Sequence, residues 1–151
     1  MFDLSFVFAN LSKSVAGTTE RSVTAKHVAE AISVVRRYRW VGLYEVTQTD
    51  IGMIACTGST PPAFPRFLRS KGLCGSAVAA RAIVNAGNVQ EDPRWLATFG
   101  TTRSEIIVPV LAASGEVRGL IDAESDALNA FSDSDEEFLS TCARMIQALF
   151  P

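Results

Sequence analysis

Cysteine, histidine and long apolar runs are scarce in this sequence. It has three cysteines, widely spaced, and one histidine among 151 residues. An odd number of dispersed thiols does not make a disulfide scaffold and fits a reducing compartment. No apolar run reaches the length of about 18 residues that a membrane-spanning helix needs. Residues 1–10 look apolar but contain Asp3 and no basic leader, so we expect no signal peptide and a cytoplasmic protein.

An excess of charge of one sign is also missing. The formal net charge is -2 and the sequence pI is about 5.4, which disfavours nucleic acid or an anionic membrane as the main partner. Hydrophobic residues make up 48% of the chain and charged residues 20%, the ordinary composition of a globular domain. A chain of this length can bury a sizeable core. We therefore expect one domain over residues 1–151.

Apolar periodicity predicts helices at both ends of the chain and strands between them. Helical spacing covers residues 2–15, 19–37 and 133–149, and a short alanine-rich helix is expected over 75–82. The last helix is expected to open at Ser132, which Asp135 follows three residues later, and to bury Phe138, Cys142, Met145, Ile146 and Leu149. Alternation predicts one hairpin over 39–57, another over 104–125, and a short strand at 83–84. The stretch 58–70 contains three prolines and is expected to be a loop, as is 88–103. This order of elements predicts an α+β fold.

Residues 104–125, SEIIVPVLAASGEVRGLIDAES, are the clearest hairpin, with a turn at Ser114-Gly115. Folding the two arms about that turn places Glu105 opposite Glu124, and Ile107 opposite Asp122. Directly paired residues share a face, so the three acids crowd one side of the sheet. The other side is apolar: Ile106, Val108, Val110, Val117, Ile121 and Ala123. Burying acidic side chains among apolar neighbours costs free energy unless a bound partner compensates them, so we predict a ligand site.

Two alternatives to an organic ligand stay open for these acids. Asp122 or Glu124 can accept hydrogen bonds from loop backbone, and Glu105 can pair with a nearby arginine such as Arg103. Three carboxylates can also bind a metal, but a hard cation normally recruits more oxygen ligands, and the only histidine, His27, lies on a distant predicted helix. We expect neither a metal nor a cofactor, and we favour an ammonium or other polar donor of a small ligand.

Six segments, in order, resemble the GAF domain, a small-molecule-binding module of many bacterial sensors. They are RWVGLYEV, GLCGSAVAA, NVQEDPRWL, RSEIIVPV, GEVRGLIDAES and AFSDSDEEFL. The resemblance implies a central antiparallel sheet with N- and C-terminal helices packed on one face and a ligand pocket on the other. WVGLY, KGLCG, SEIIVPV and LIDAES are most similar to the stand-alone free methionine-(R)-sulfoxide reductases within that family.

This resemblance implies roles for individual residues. The substrate-binding acids of the subfamily fall on Glu105, Asp122 and Glu124, with Glu124 in place of a second Asp. Its pocket aromatics fall on Trp40 and Tyr44, which would supply an apolar or cation–π wall.

The thiol positions of the subfamily are only partly retained. Its cysteine at a glycine-flanked turn falls on Cys74, but its catalytic position is Thr98 here and its other recycling position is Phe64. Reduction of a sulfoxide by thiols needs an attacking thiolate and a resolving thiol, and Thr98 can be neither. Cys74 opens a predicted helix, where the dipole favours a thiolate. It can equally be a buried residue at a tight turn, which is the interpretation we favour.

Three functions follow from these residues. The one we favour is a sensory or regulatory GAF domain that binds a small cationic or amino-acid-like ligand. The alternative is an enzyme, a divergent methionine-(R)-sulfoxide reductase that uses Cys74. The third is a dimerisation module, since Phe2 and Phe6 lie off the main apolar stripe of the first predicted helix. We expect a homodimer through the N- and C-terminal helices.

Overall fold

The computed structural model describes residues 18–151. The helix predicted over 2–15 lies outside these residues, as do Phe2 and Phe6, so the expected homodimer stays a prediction. No helix in the described range is long and apolar enough to cross a membrane. The cytoplasmic location likewise stays a prediction.

The described residues form an α+β fold around one six-stranded sheet. Its strand order is β3-β2-β1-β6-β5-β4, and every neighbouring pair is antiparallel. The helices are α1 (Thr18–Arg36), α2 (Gly72–Ala80) and α3 (Asp133–Met145). The strands are β1 (Trp40–Val46), β2 (Asp50–Cys56), β3 (Arg66–Leu68), β4 (Val84–Ala86), β5 (Ser104–Leu111) and β6 (Val117–Ser125). Short 3-10 turns cover Val89–Glu91 and Gln147–Leu149.

The two faces of the sheet are covered by different layers. On one face, α1 and α3 pack against the strands through Val28, Ile32, Leu139, Cys142 and Ile146. On the other face, α2 and the loops pack against strand residues that include Trp40, Tyr44, Ile107 and Leu120. For the described residues, the predicted antiparallel sheet with N- and C-terminal helices packed on one face is confirmed.

The register of the central hairpin is also as predicted. Glu105 is opposite Glu124 and Ile107 is opposite Asp122. Strand β1 extends the same face, because Trp40 pairs with Glu124 and Gly42 pairs with Asp122. The residues expected at the site are thereby brought onto three adjacent strands.

Val117 does not lie on the face that α1 and α3 cover, contrary to the prediction. Val110 pairs with Gly119 but Leu111 pairs with Val117, so Arg118 is an extra residue on β6. This β-bulge reverses the face of the residues beyond it. Val117 therefore packs with the cluster that contains Leu120.

Three other predictions were wrong in detail. The loop expected over 58–70 ends early, because Arg66–Leu68 follow the last proline of that stretch and pair with β2 as an edge strand. Helix α2 begins at Gly72, three residues before the predicted start. Met145, predicted to be on the buried stripe of α3, is exposed, and Leu139 is buried there instead.

Candidate functional site: a buried carboxyl cluster

Three carboxylic acids lie together on the face of the sheet that α2 covers. Glu105 on β5 and Asp122 and Glu124 on β6 retain only 3%, 1% and 2% of their accessible surface. Each has one oxygen that is buried without a hydrogen-bond partner: Oε2 of Glu105, Oδ1 of Asp122 and Oε2 of Glu124. Buried polar atoms are rarely left unpaired in folded proteins, so three of them in one place point to a site.

Within residues 18–151 no basic side chain forms an ion pair with these acids. The ion pairs of residues 18–151 connect other groups, so the predicted alternative of a Glu105–Arg103 pair is not present. Thr102 Oγ1 donates a hydrogen bond of 2.8 Å to Glu124 Oε1. Thr102 was not anticipated from the sequence, since nothing in its local pattern marks it as a partner of β6.

Burial and mutual repulsion shift the cluster towards its protonated form. Burial, together with the charge of Glu124, raises the pKa of Glu105 to about 8. The pKa of Glu124 rises to about 7, chiefly through burial, although Thr102 and Arg39 oppose the change. The pKa of Asp122 lies well above its usual range because the residue is buried next to both glutamates. A cation entering this site would replace protons that the cluster holds near neutral pH.

Aromatic side chains surround the acids. Trp40 and Tyr44 lie on the same face of β1, as predicted, and the Trp40 ring folds across Gly42, where a Cβ would lie 2.4 Å from the ring. Phe99 contacts the Trp40 ring edge-on, with centroids 5.3 Å apart. Phe67 contacts Tyr44 in the same way at 5.9 Å. The acids therefore sit behind rigid apolar walls of the kind that line small-molecule sites.

Trp95 is half-buried in the connection before β5, where it packs against the same cluster as Trp40. Its indole N–H has no partner of ordinary hydrogen-bond geometry. It lies near enough to Glu105 to lower the pKa of that carboxyl. This contact could not be read from the sequence, because it depends on the path of an irregular loop.

Cys74 faces the acids from the first turn of α2. Its Sγ and one oxygen from each of Glu105 and Asp122 all lie within 4.8 Å of one another. The thiol is buried, and burial together with the charges of the acids raises its pKa well above the usual value. A helix N-terminus was expected to favour the thiolate, but the low dielectric and the adjacent carboxylates outweigh the dipole.

Two cavities adjoin the cluster. A small one of about 20 Å³ is lined by Glu105, Asp122 and Cys74, together with Phe64 and Thr98. It has room for about one water molecule. A larger cleft of about 490 Å³ reaches Glu124 and Trp40 from the surface. Ala63 N donates a hydrogen bond of 3.2 Å to Thr98 O and links the loop before β3 to the loop before β5. A cavity of about 20 Å³ cannot hold an organic ligand, so binding of one at Glu105 and Asp122 requires the surrounding residues to move.

Gly75, the neighbour of Cys74 in α2, packs directly against the backbone of Ser70, and replacing it tests how tightly this turn is packed. A Cβ at this position would lie 2.4 Å from the carbonyl carbon of Ser70. Relieving this overlap requires a shift of the backbone, which costs more free energy than the rotation of a side chain. We expect Gly75→Ala to lower the free energy of unfolding by about 2 kcal/mol and to displace Cys74, measured by urea unfolding and by the rate of thiol labelling. Gly100→Ala is the control, since a Cβ there meets nothing within 4 Å. Equal stability of the two variants would contradict the expectation.

Comparison with known proteins identifies the family of this chain. The model described as GAF domain matches residues 21–148. GAF domain-containing protein A of Dictyostelium discoideum is 26% identical over 132 residues, which are 87% of this chain and 82% of that protein.

Two solved structures are also similar. A type II free methionine-R-sulfoxide reductase from Thermoplasma acidophilum has a TM-score of 0.82 and 32% identity, and the match covers 88% of this chain and 94% of that one. The free methionine-R-sulfoxide reductase of Neisseria meningitidis, in complex with its substrate, has a TM-score of 0.80 and 25% identity over 99% and 92% of the two chains. The chain thus belongs to the GAF domain family and is a relative of the free methionine-R-sulfoxide reductases.

Proposed function

We propose that this chain is a ligand-binding GAF domain with a sensory or regulatory role, and that its ligand is a small cationic or amino-acid-like molecule. One observation carries the proposal: Glu105, Asp122 and Glu124 are almost fully buried, each with an oxygen that has no partner. An ammonium group offers the donors and the positive charge that these oxygens lack. The faces of Trp40 and Tyr44 would add an apolar or cation–π contact.

The named relatives support a second candidate, a methionine-R-sulfoxide reductase that works through Cys74. Cys74 lies beside two of the acids, where a bound sulfoxide could meet it. The raised pKa of its thiol disfavours the attacking thiolate. Thr98 and Phe64, at the edge of the same cavity, provide no second thiol to resolve an oxidised Cys74. Binding is therefore the better supported function.

The two functions separate in one set of measurements. Calorimetry and thermal unfolding measure the binding of three compounds: free methionine-(R)-sulfoxide, methionine and the corresponding deaminated acid. A separate assay follows the formation of methionine from the sulfoxide in the presence of dithiothreitol. A binding domain is expected to be stabilised by the amines but not by the acid, and to produce no methionine. Asp122→Asn is expected to weaken binding at least about tenfold, because a charge-assisted contact is worth about 1.5–3 kcal/mol.

Glu116→Gln is the matched control, since Glu116 lies on the same hairpin and pairs with Arg118 at the surface. Equal loss of affinity in both variants would contradict the assignment of the site. Turnover that disappears in Cys74→Ser would instead support the reductase and overturn the non-catalytic proposal.

A further inference from the structure

Three side chains of types that commonly coordinate metals lie close together in the site. They are Cys74 from the first turn of α2, Glu105 from β5 and Asp122 from β6, and their donor atoms all lie within 4.8 Å of one another. All three residues are more than nine-tenths buried. The carboxylates come from paired strands, whereas the thiol comes from a helix on top of the sheet, so the cluster is more than a row of neighbouring acids.

One oxygen of each acid in this cluster is buried without a hydrogen-bond partner. Glu105 Oε2 and Asp122 Oδ1 accept no hydrogen bond, and no lysine, arginine or histidine of the described residues pairs with either acid. Cys74 borders the same small cavity as the two acids. Buried groups of this kind are normally paired or coordinate a metal.

We propose that Cys74, Glu105 and Asp122 form a binding site for a divalent metal ion of the zinc type. A thiolate with two carboxylates suits a borderline-soft ion such as Zn²⁺ or Co²⁺, whereas Mg²⁺ and Ca²⁺ prefer oxygen donors alone. Tetrahedral zinc at its usual bond lengths separates sulfur and oxygen donors by about 3.5 Å. Side-chain movements of about an ångström close the present spacing to that value.

The fourth position of the ion would be open. The small cavity beside the three donors has a volume of about 20 Å³, which is enough for one water molecule as the remaining ligand. Three protein ligands and a water are the arrangement in which zinc keeps an exchangeable position. The sequence alone did not suggest this site, because its only candidates were the carboxylates.

This inference does not rest on the proposed function. It uses two of the acids assigned to an organic cation, so metal and ammonium ligand are expected to compete, but either can bind without the other. Binding of an amine to chelator-treated protein tests the first proposal, and binding of metal in the absence of amine tests the second.

Cobalt is the probe that tests the site directly. The full chain is treated with a chelator, freed of it, and titrated with Co²⁺ and then with Zn²⁺. We expect one Co²⁺ per chain, a near-ultraviolet sulfur-to-cobalt charge-transfer band, displacement of that band by Zn²⁺, and a rise in the unfolding temperature. Zn²⁺ is expected to be retained at one equivalent after desalting, measured by elemental analysis.

Variants assign the donors. Cys74→Ala is expected to abolish the charge-transfer band, and Asp122→Asn to weaken metal affinity at least about tenfold with the band retained at saturation. Cys142→Ser is the control, because Cys142 is buried in the core on the other face of the sheet. Circular dichroism verifies that each variant is folded. Absence of the band in the parent protein, or a band unaffected by Cys74→Ala, would overturn the proposal.

Discussion

Glu105→Gln is expected to raise the free energy of unfolding of the metal-free protein by about 4 kcal/mol at pH 8 and by only about 1 kcal/mol at pH 5. Burial and the neighbouring acids raise the pKa of Glu105 from 4.5 to about 8, and a difference of one pKa unit corresponds to about 1.4 kcal/mol. Glutamine has the same shape, needs no proton to be neutral, and can donate from its amide to Asp122.

The sign follows from where the protons are held. Between about pH 4.5 and 8 the folded protein keeps a proton on Glu105 that the unfolded chain has released. Stability therefore falls as pH rises through this window, by up to about 1.4 kcal/mol per unit for each group that titrates. Below the window both states are protonated, and the wild type and Glu105→Gln should coincide.

Urea unfolding of both proteins at pH 5, 6.5 and 8, with chelator present, measures the effect. Glu137→Gln on the exposed side of α3 is the control and should change stability little at any of these pH values. An equal change at pH 5 and pH 8 would contradict a raised pKa at Glu105. The same variant should bind amine ligands more weakly, so that stability and binding change in opposite directions, as is typical of functional sites.

Asp135→Ala is expected to lower the free energy of unfolding by about 3 kcal/mol. Asp135 Oδ2 accepts from Ser132 N at 2.8 Å and completes a capping box at the start of α3. Its Oδ1 accepts from the Tyr38 hydroxyl at 2.6 Å and lies 2.9 Å from Arg36 Nη2. Removing the carboxylate loses the cap, about 1 kcal/mol, and leaves a half-buried hydroxyl without its partner, about 1–3 kcal/mol more.

The pH dependence of Asp135 runs in the opposite direction to that of the site. Burial alone would raise its pKa, but hydrogen bonds from Tyr38, Ser132 and Arg36 outweigh burial, and the pKa is lowered. The stability that the Asp135 carboxylate contributes is therefore present at pH values above the ordinary pKa of an aspartate. It is lost as the pH falls through the pKa of Asp135 in the folded state. The contributions of Glu105 and Asp135 to stability therefore change with pH in opposite directions.

Thermal unfolding at pH 6 checks the second prediction, with a fall of about 10 °C expected for a chain of this size. Asp133→Ala is the matched control, because Asp133 lies in the same first turn and is exposed, so it should cost only a few tenths of a kcal/mol through the helix dipole. Similar losses for both variants would show that charge at the helix start, and not the buried network, determines the effect.

Much of the fold was predictable because its information is local. Strand side chains alternate with a period of two residues, so the turn at Ser114-Gly115 was enough to place Glu105, Asp122 and Glu124 on one face. The cap at Ser132 was readable from the acid three residues later. The order of helices and hairpins, and the motifs similar to GAF domains, indicated the layers of the fold.

The errors occurred where local pattern was weak or misleading. The strand Arg66–Leu68 is short and follows a proline-rich stretch, so it forms only because β2 offers an edge. The bulge at Arg118 reverses the face of Val117, and no residue pattern marks it. Met145 is exposed because the buried stripe of α3 runs through Leu139, Cys142 and Ile146, and Met145 lies to one side of it.

The sequence by itself determined that three acids share a face of the sheet, since strand period and hairpin register depend on neighbours along the chain. Only the tertiary structure decided what surrounds them. The packing of α2 on the sheet brings Cys74 to Glu105 and Asp122, and Phe64 and Thr98, from two separate loops, line the same cavity. Burial without a basic partner, which raises the pKa of each acid, arises from contacts between segments far apart in the chain. Those contacts depend on how whole layers pack.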